Sequence, residues 1–185
     1  MNASRQRFTS ARQVFEAFET AQEDIEAQPS EVEPVAFIKE LLSGPTPEAT
    51  ISFCAYLLPR REAVWWACQT IRQGGDPESP EILGLAEEWV KIPDETNRRN
   101  ALSAANAAKV KGPCAWAAYG AGWSGGSMTD AGQTPVRPPA YLTAKAVRAA
   151  VLTVLASGLP RQRLQRLTAV VKSATELLNA GSRQS

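Results

Sequence analysis

Apolar residues return along this chain every three or four positions, and charged residues fill the faces between them. Val14, Phe15, Phe18 and Ile25 recur at helical spacing while Glu16, Glu19, Glu23 and Asp24 fall on the other side, which predicts a first helical stretch. Val35, Ile38 and Leu42 predict a second short helix that stops at Ser43-Gly44-Pro45. Further on, Ile82, Leu85, Ala86 and Trp89 line one face of a helix whose Glu87 and Glu88 point away. Ala101, Ala104, Ala105 and Ala108 form a stripe of small residues suited to close helix–helix approach. Two strongly periodic segments close the chain. One carries Val147, Ala150, Val151, Val154 and Leu155, the other Leu164, Leu167, Val171, Ala174 and Leu178. No β-branched alternation survives beyond a few residues, so the predicted class is all-α.

Proline punctuates this pattern at regular intervals. Pro47, Pro80 and Pro113 are spaced by 33 residues, and Pro59 and Pro93 by 34. Proline suits the first position of a helix, where its missing N–H has no partner to lose and its φ is already helical. Each of the five is therefore expected within two residues of a helix start, with Thr46 and Ser79 as N-caps and Gly74-Gly75 as a stop. A unit of 33 residues is the size of one helical hairpin in a stacked repeat. The expected architecture is thus a set of stacked antiparallel hairpins, repeat-like or as an irregular bundle, of about 8–9 helices. Tyr56 and Trp89 hold equivalent positions 33 apart and are expected in the core. Residues 1–9 read as disordered and 10–180 as a single domain. From Gly120 to Pro139 the sequence is too rich in glycine and proline for a helix, and a loop of this length is functional or mobile.

Charge changes the picture more than composition does. The chain of 185 residues carries a net charge of +1, yet residues 1–95 hold 17 acidic and 8 basic side chains while residues 96–185 hold 2 and 12. Such a chain can pair its halves internally, stack head to tail, or offer opposite faces to two partners. The basic stripe Arg161, Arg163, Arg166 and Lys172 lacks interleaved aromatics and reads as a solvated helix face; no nucleic-acid partner is expected. No apolar run approaches the roughly 20 residues that cross a bilayer, and the N-terminus lacks an apolar signal segment, so no membrane partner and a cytoplasmic location are expected.

Candidate chemistry is sparse. The sequence contains no histidine, which removes the commonest general base and the commonest metal ligand together. Cys54, Cys68 and Cys114 lie among apolar helical neighbours and read as buried free thiols, so neither a metal nor a cofactor is expected. Gly122-Trp-Ser124-Gly-Gly126 matches the serine-hydrolase elbow, but no histidine exists to take the serine proton. Gly120-Ala-Gly122-Trp-Ser-Gly125 matches a dinucleotide fingerprint without the strand and helix that must flank it.

The remaining candidates are surfaces. Arg60-Arg61 and Arg98-Arg99 fall near helix starts, where positive charge is mildly unfavourable; they either pair with Glu48, Glu62, Glu87 or Glu88 or face an acidic partner. Trp65 and Trp66 are consecutive and project about 100° apart, so they cannot share a packing direction, and at least one is expected in the core. Trp123 on the glycine-rich loop is either folded back as a plug or presented to a partner. The candidate partner-binding residues are Arg60, Arg61, Trp65, Trp123 and Arg137.

The string Leu57-Leu-Pro-Arg-Arg-Glu-Ala-Val-Trp-Trp-Ala-Cys68 resembles the signature of an uncharacterised bacterial all-helical family associated with type VI secretion gene clusters. Glu88-Trp89-Val90, Arg98-Arg99-Asn-Ala101, Gly112-Pro113, Ser124-Gly125-Gly126-Ser127 and Pro135, Pro138 and Pro139 follow in keeping with it, over roughly residues 45–140. The resemblance implies a setting without a reaction: a non-enzymatic adaptor or chaperone-like protein that binds a secreted effector or spike component. The alternative is an immunity-type or regulatory protein holding one cognate toxin.

Overall fold

All five periodic prolines open helices. In the computed structural model, which describes residues 7–130 and 132–183, ten α-helices follow one another: α1 (Ala11–Ala17), α2 (Ala21–Ile25), α3 (Pro34–Leu42), α4 (Ala49–Leu57), α5 (Arg60–Gly74), α6 (Pro80–Lys91), α7 (Glu95–Ala107), α8 (Pro113–Gly122), α9 (Leu142–Ala156) and α10 (Arg163–Arg183). A single 3₁₀ turn, Pro160–Gln162, leads into the last. Pro80 and Pro113 are themselves the first helical residues, Pro59 immediately precedes α5, and α4 and α7 start two residues after Pro47 and Pro93. Ser79 holds the N-cap position of α6 without a side-chain bond. Thr46 does not cap α4: a turn closes first, with the Ala49 N–H on the Thr46 carbonyl. Asp94 accepts from the Asn97 N–H at 2.8 Å and caps α7.

The hairpins do not stack as a solenoid, in which each pair would meet only its neighbours. α8 packs against α5, α6, α7 and α9 at once, α9 also against α4, α5 and α10, and α4 against α2, α3, α9 and α10, so the arrangement is an irregular bundle. Every residue of α4 is buried, and the alanines and glycines of α8 let its neighbours close in. A Cβ added at Gly122 would meet Leu102 at 2.7 Å, and one at Gly120 would meet Val64 and Val147 at 3.2 and 3.3 Å. These two glycines therefore belong to α8, and the irregular segment begins at Trp123 rather than at Gly120.

Tyr56 and Trp89 are buried as their register requires. Trp66 is fully enclosed, and its indole N–H donates to the Val170 carbonyl at 2.9 Å, locking α10 onto α5. Of the N-terminal segment, residues 1–6 lie outside the described residues, and Phe8 is buried against Phe18, with the Arg7 guanidinium 4.9 and 5.1 Å from the two ring centres. An aromatic pair docks this segment that its polar surroundings in the sequence conceal.

The charge asymmetry is partly consumed inside the fold. Buried Asp24 of α2 accepts from the Tyr56 hydroxyl and from Lys145 at 2.9 Å, with Arg148 at 3.8 Å, while Arg148 also donates to Ser52. Burial, and then the Asp24 carboxylate, push the Tyr56 phenol above its ordinary range. Glu48 likewise meets Arg163 at 2.8 Å. Acidic helices from the first half are thus fastened to α9 and α10 from the second. The cysteines are free and buried; desolvation pushes Cys54 up to about 12, and desolvation followed by the Glu78 carboxylate does the same for Cys114. Among the described residues no single helix is long and apolar enough to cross a membrane.

Candidate functional site

The prolines that stop α4 and separate α6 from α7 bring three chain reversals to one end of the bundle. There the start of α5, the end of α6, the start of α7 and the glycine-rich loop converge on a cleft of about 410 Å³. Arg60, Arg61, Trp89, Pro93, Ser124 and Gly125 are among its lining residues. A neighbouring cleft of about 300 Å³ is lined by Arg61, Glu62, Trp65, Val90 and Lys91, so Arg61 stands between the two.

Two of the four arginines build the site and two face it. Arg98 is 3% exposed although charged, which requires that its donors be satisfied. It forks onto both oxygens of Glu95 at 2.6 Å and also donates to the carbonyls of Gly122 and Ser127. Arg99 adds a bond to Glu95 at 3.0 Å and one to the Thr129 carbonyl. The loop from Trp123 to Asp130 is therefore pinned to α7 by side chains, and it is further closed by Met128 N–H on the Val136 carbonyl and by the Ser127 hydroxyl. Gly126 is required here: its φ of +63° is left-handed, and a Cβ would lie 2.7 Å from the Arg98 guanidinium.

Arg60 and Arg61 differ from that pair in having no carboxylate partner among the described residues. Arg60 donates to the Ser124 carbonyl at 2.7 Å, and Arg61 to the Val90 and Lys91 carbonyls at 2.6 and 3.4 Å. Those last carbonyls close α6, whose negative end offsets the cost of a cation at the positive end of α5. The internal pairings expected for these arginines are not made. Glu48 is held by Arg163, Glu87 by Arg72 at 2.8 Å and Glu88 by Lys91 at 2.7 Å, and Glu62 forms no ion pair among the described residues. Three of the four carboxylates are thus taken by other cations, Arg72 of α5 among them, and among the described residues Arg60 and Arg61 bond only main-chain oxygens.

Of the expected partner-binding residues, the structure places Arg60 and Arg61 on the larger cleft and Arg61 and half-buried Trp65 on the adjoining smaller one. Trp123 does not line the larger cleft: its ring stacks on Tyr119 at 4.5 Å, half-buried, and the loop meets that cleft through Ser124, Gly125 and Gly126. Arg137 is exposed and lines neither cleft. Missing from the sequence reading are Arg98 and Glu95 as the clamp and Trp89 as the cleft wall. The i,i+3 and i,i+4 spacing of Glu95 to Arg98 and Arg99 was the signal available. Among the described residues no group of three or more His, Cys, Asp or Glu is placed to hold a metal ion.

Hydrogen bonding from Arg98, then from Arg99, holds the Glu95 carboxyl down at about 2, against the opposing effect of partial burial. The folded-state value lies below the unfolded one, so this contribution to stability is complete above the ordinary carboxylate range and is lost as pH falls from about 4.5 through about 2. Glu95→Gln should accordingly flatten the acid limb of a stability–pH curve in that window and leave the curve's shape above pH 6 unaltered. An acid limb identical to that of the unsubstituted protein would show the clamp to be electrostatically idle.

A family model described as a family of unknown function, DUF6931, matches residues 37–178. The chain belongs to this family. The matched span takes in α4 through α9 and most of α10, hence every residue that lines the two clefts. No curated protein and no solved structure matches the chain.

Proposed function

We propose that this member of the family is a non-enzymatic accessory protein that works by holding a protein partner, as an adaptor or chaperone-like module. In this reading it serves a secreted effector or spike component of a bacterial type VI secretion system and acts in the cytoplasm. The observation that carries the binding role is the pair of adjoining clefts: two adjacent arginines without carboxylate partners among the described residues, near a half-buried tryptophan, beside a loop tied down by Arg98. Tryptophan and arginine are the residue types that dominate binding energy at protein interfaces. The secretion setting is supported by the resemblance of the Leu57–Cys68 string alone. The polar groups of the larger cleft are engaged structurally: Glu95 pairs with two arginines, Asp94 caps α7, and Ser124 offers its carbonyl to Arg60.

The test is affinity capture of the tagged protein from its native host, followed by mass spectrometry and a map of the neighbouring genes. An effector or spike protein should co-purify at near-stoichiometric amounts and should need this protein for its export. Capture of one adjacent-gene toxin, neutralised on binding, would replace the adaptor by an immunity protein. Absence of any stoichiometric partner would overturn the binding role.

A further inference from the structure

We infer that the α5–α6 groove recognises an acidic, extended peptide segment of a partner protein, with carboxylates on Arg60 and Arg61 and an apolar side chain against Trp65; the inference rests on the protein-binding reading above.

The charge balance of the groove carries it. Around the larger cleft the charged residues are Arg60, Arg61, Arg98, Asp94 and Glu95. Arg98 and Glu95 cancel each other in a bidentate pair, while Asp94 caps α7 through one oxygen and keeps its negative charge. What remains toward the cleft is a net positive charge carried by Arg60 and Arg61, each bonded among the described residues only to main-chain carbonyls and so keeping guanidinium N–H groups in hand. Arg7 lies near enough to Arg60 that burial, and then that neighbour, pull its own affinity for a proton down. Three cations at one end of the bundle, none in an ion pair among the described residues, make an anion the complementary occupant.

The shape and the second cleft specify the kind of anion. The two spaces adjoin, with Arg61 lining both, and each is an open cleft rather than a closed pocket. In the second, Lys91 is paired with Glu88, Glu62 carries a negative charge, and Trp65 and Val90 supply the apolar surface. A compact polyanion would leave this half unused and would set its charge against Glu62. A chain with carboxylates at one end and an uncharged apolar side chain a few residues on fits both halves. Guanidinium forks suit carboxylates, and a tryptophan face suits the apolar residue.

The test is fluorescence anisotropy at low ionic strength with a labelled peptide of alternating glutamate and leucine, beside the same peptide with glutamine for glutamate and a labelled single-stranded oligonucleotide. Binding of the glutamate peptide is expected, weakening as salt is raised. Arg60→Glu should weaken it by about tenfold or more and Arg60→Gln by less. Both variants should keep the melting temperature, since Arg60 gives the fold only its bond to Ser124. Trp65→Ala should weaken binding without reducing its salt dependence. Equal binding of the glutamine peptide, equal binding by Arg60→Glu, preference for the oligonucleotide, or a self-associated chain whose groove is closed by a second copy would each overturn the inference. The two readings fail separately. A native partner held alike by the unsubstituted protein and by Arg60→Glu sinks the groove and leaves the adaptor, whereas groove-dependent peptide binding with no native partner does the reverse.

Discussion

Replacing Trp66 by alanine should cost about 3–5 kcal/mol, a loss large enough to take a domain of ordinary stability a third or more of the way to unfolding. Its side chain is fully enclosed, and its indole N–H reaches the Val170 carbonyl, so the substitution opens a cavity between α5 and α10 and removes the bond that joins them. The neighbouring Trp65 is half-buried and packs only against the edge of the core. Its removal should cost about 1 kcal/mol, around half the transfer free energy of a fully buried large apolar side chain and with no enclosed cavity left behind. Urea denaturation of the two variants checks the pair. Equal midpoints would mean that the two faces of α5 have been assigned the wrong way round.

That comparison also marks how far the sequence could be read. Consecutive tryptophans on a helix must point in different directions, so the need for one core and one peripheral ring was legible; which was which depends on where α10 docks. The proline positions gave the helix starts because the cause is local, a missing N–H and a fixed φ. The same reasoning failed at Gly120 and Gly122, where glycine serves close packing against Val64, Val147 and Leu102 rather than a turn, and nothing in the flanking residues distinguishes the two uses. The 33-residue spacing left a repeat and an irregular bundle both open, since spacing fixes where helices begin but not which of them meet. α8 lies against four helices because its alanines and glycines let them approach.

The groove was half legible. Arg60, Arg61 and Trp65 were picked out by type and by their position at a helix start, and they do line one surface. Their bonding was not, because both arginines and the clamp behind them are satisfied by main-chain carbonyls far away in sequence: Val90, Gly122, Ser124 and Ser127. A carbonyl carries no residue identity, so a sequence contains no sign of it. Trp123 shows the converse. Its place on a glycine-rich loop suggested either exposure or a plug, and its position one turn beyond Tyr119 is what lets the two rings stack.

The Arg98 clamp leads to the second large effect. Arg98→Met keeps most of the aliphatic volume but strands the Gly122 and Ser127 carbonyls, each costing roughly 1–3 kcal/mol when left without a donor. A total loss of about 2–5 kcal/mol is therefore expected in chemical denaturation. Arg98→Lys should recover only a part, because one ammonium cannot span the two oxygens of Glu95 and the two carbonyls as the planar fork does. The loss should also be localised. The segment 123–130 is tied to α7 through Arg98 and Arg99, so limited proteolysis of Arg98→Met should cut in this loop before any helix opens, and hydrogen exchange should rise there first. Because Ser124 and Gly125 form one wall of the cleft, the same variant should weaken acidic-peptide binding while Arg60 and Arg61 are still present. An Arg98→Met protein with an unshifted denaturation midpoint and an uncut loop would show that the glycine-rich segment holds its shape by its own bonds, and that the clamp plays no part in building the groove.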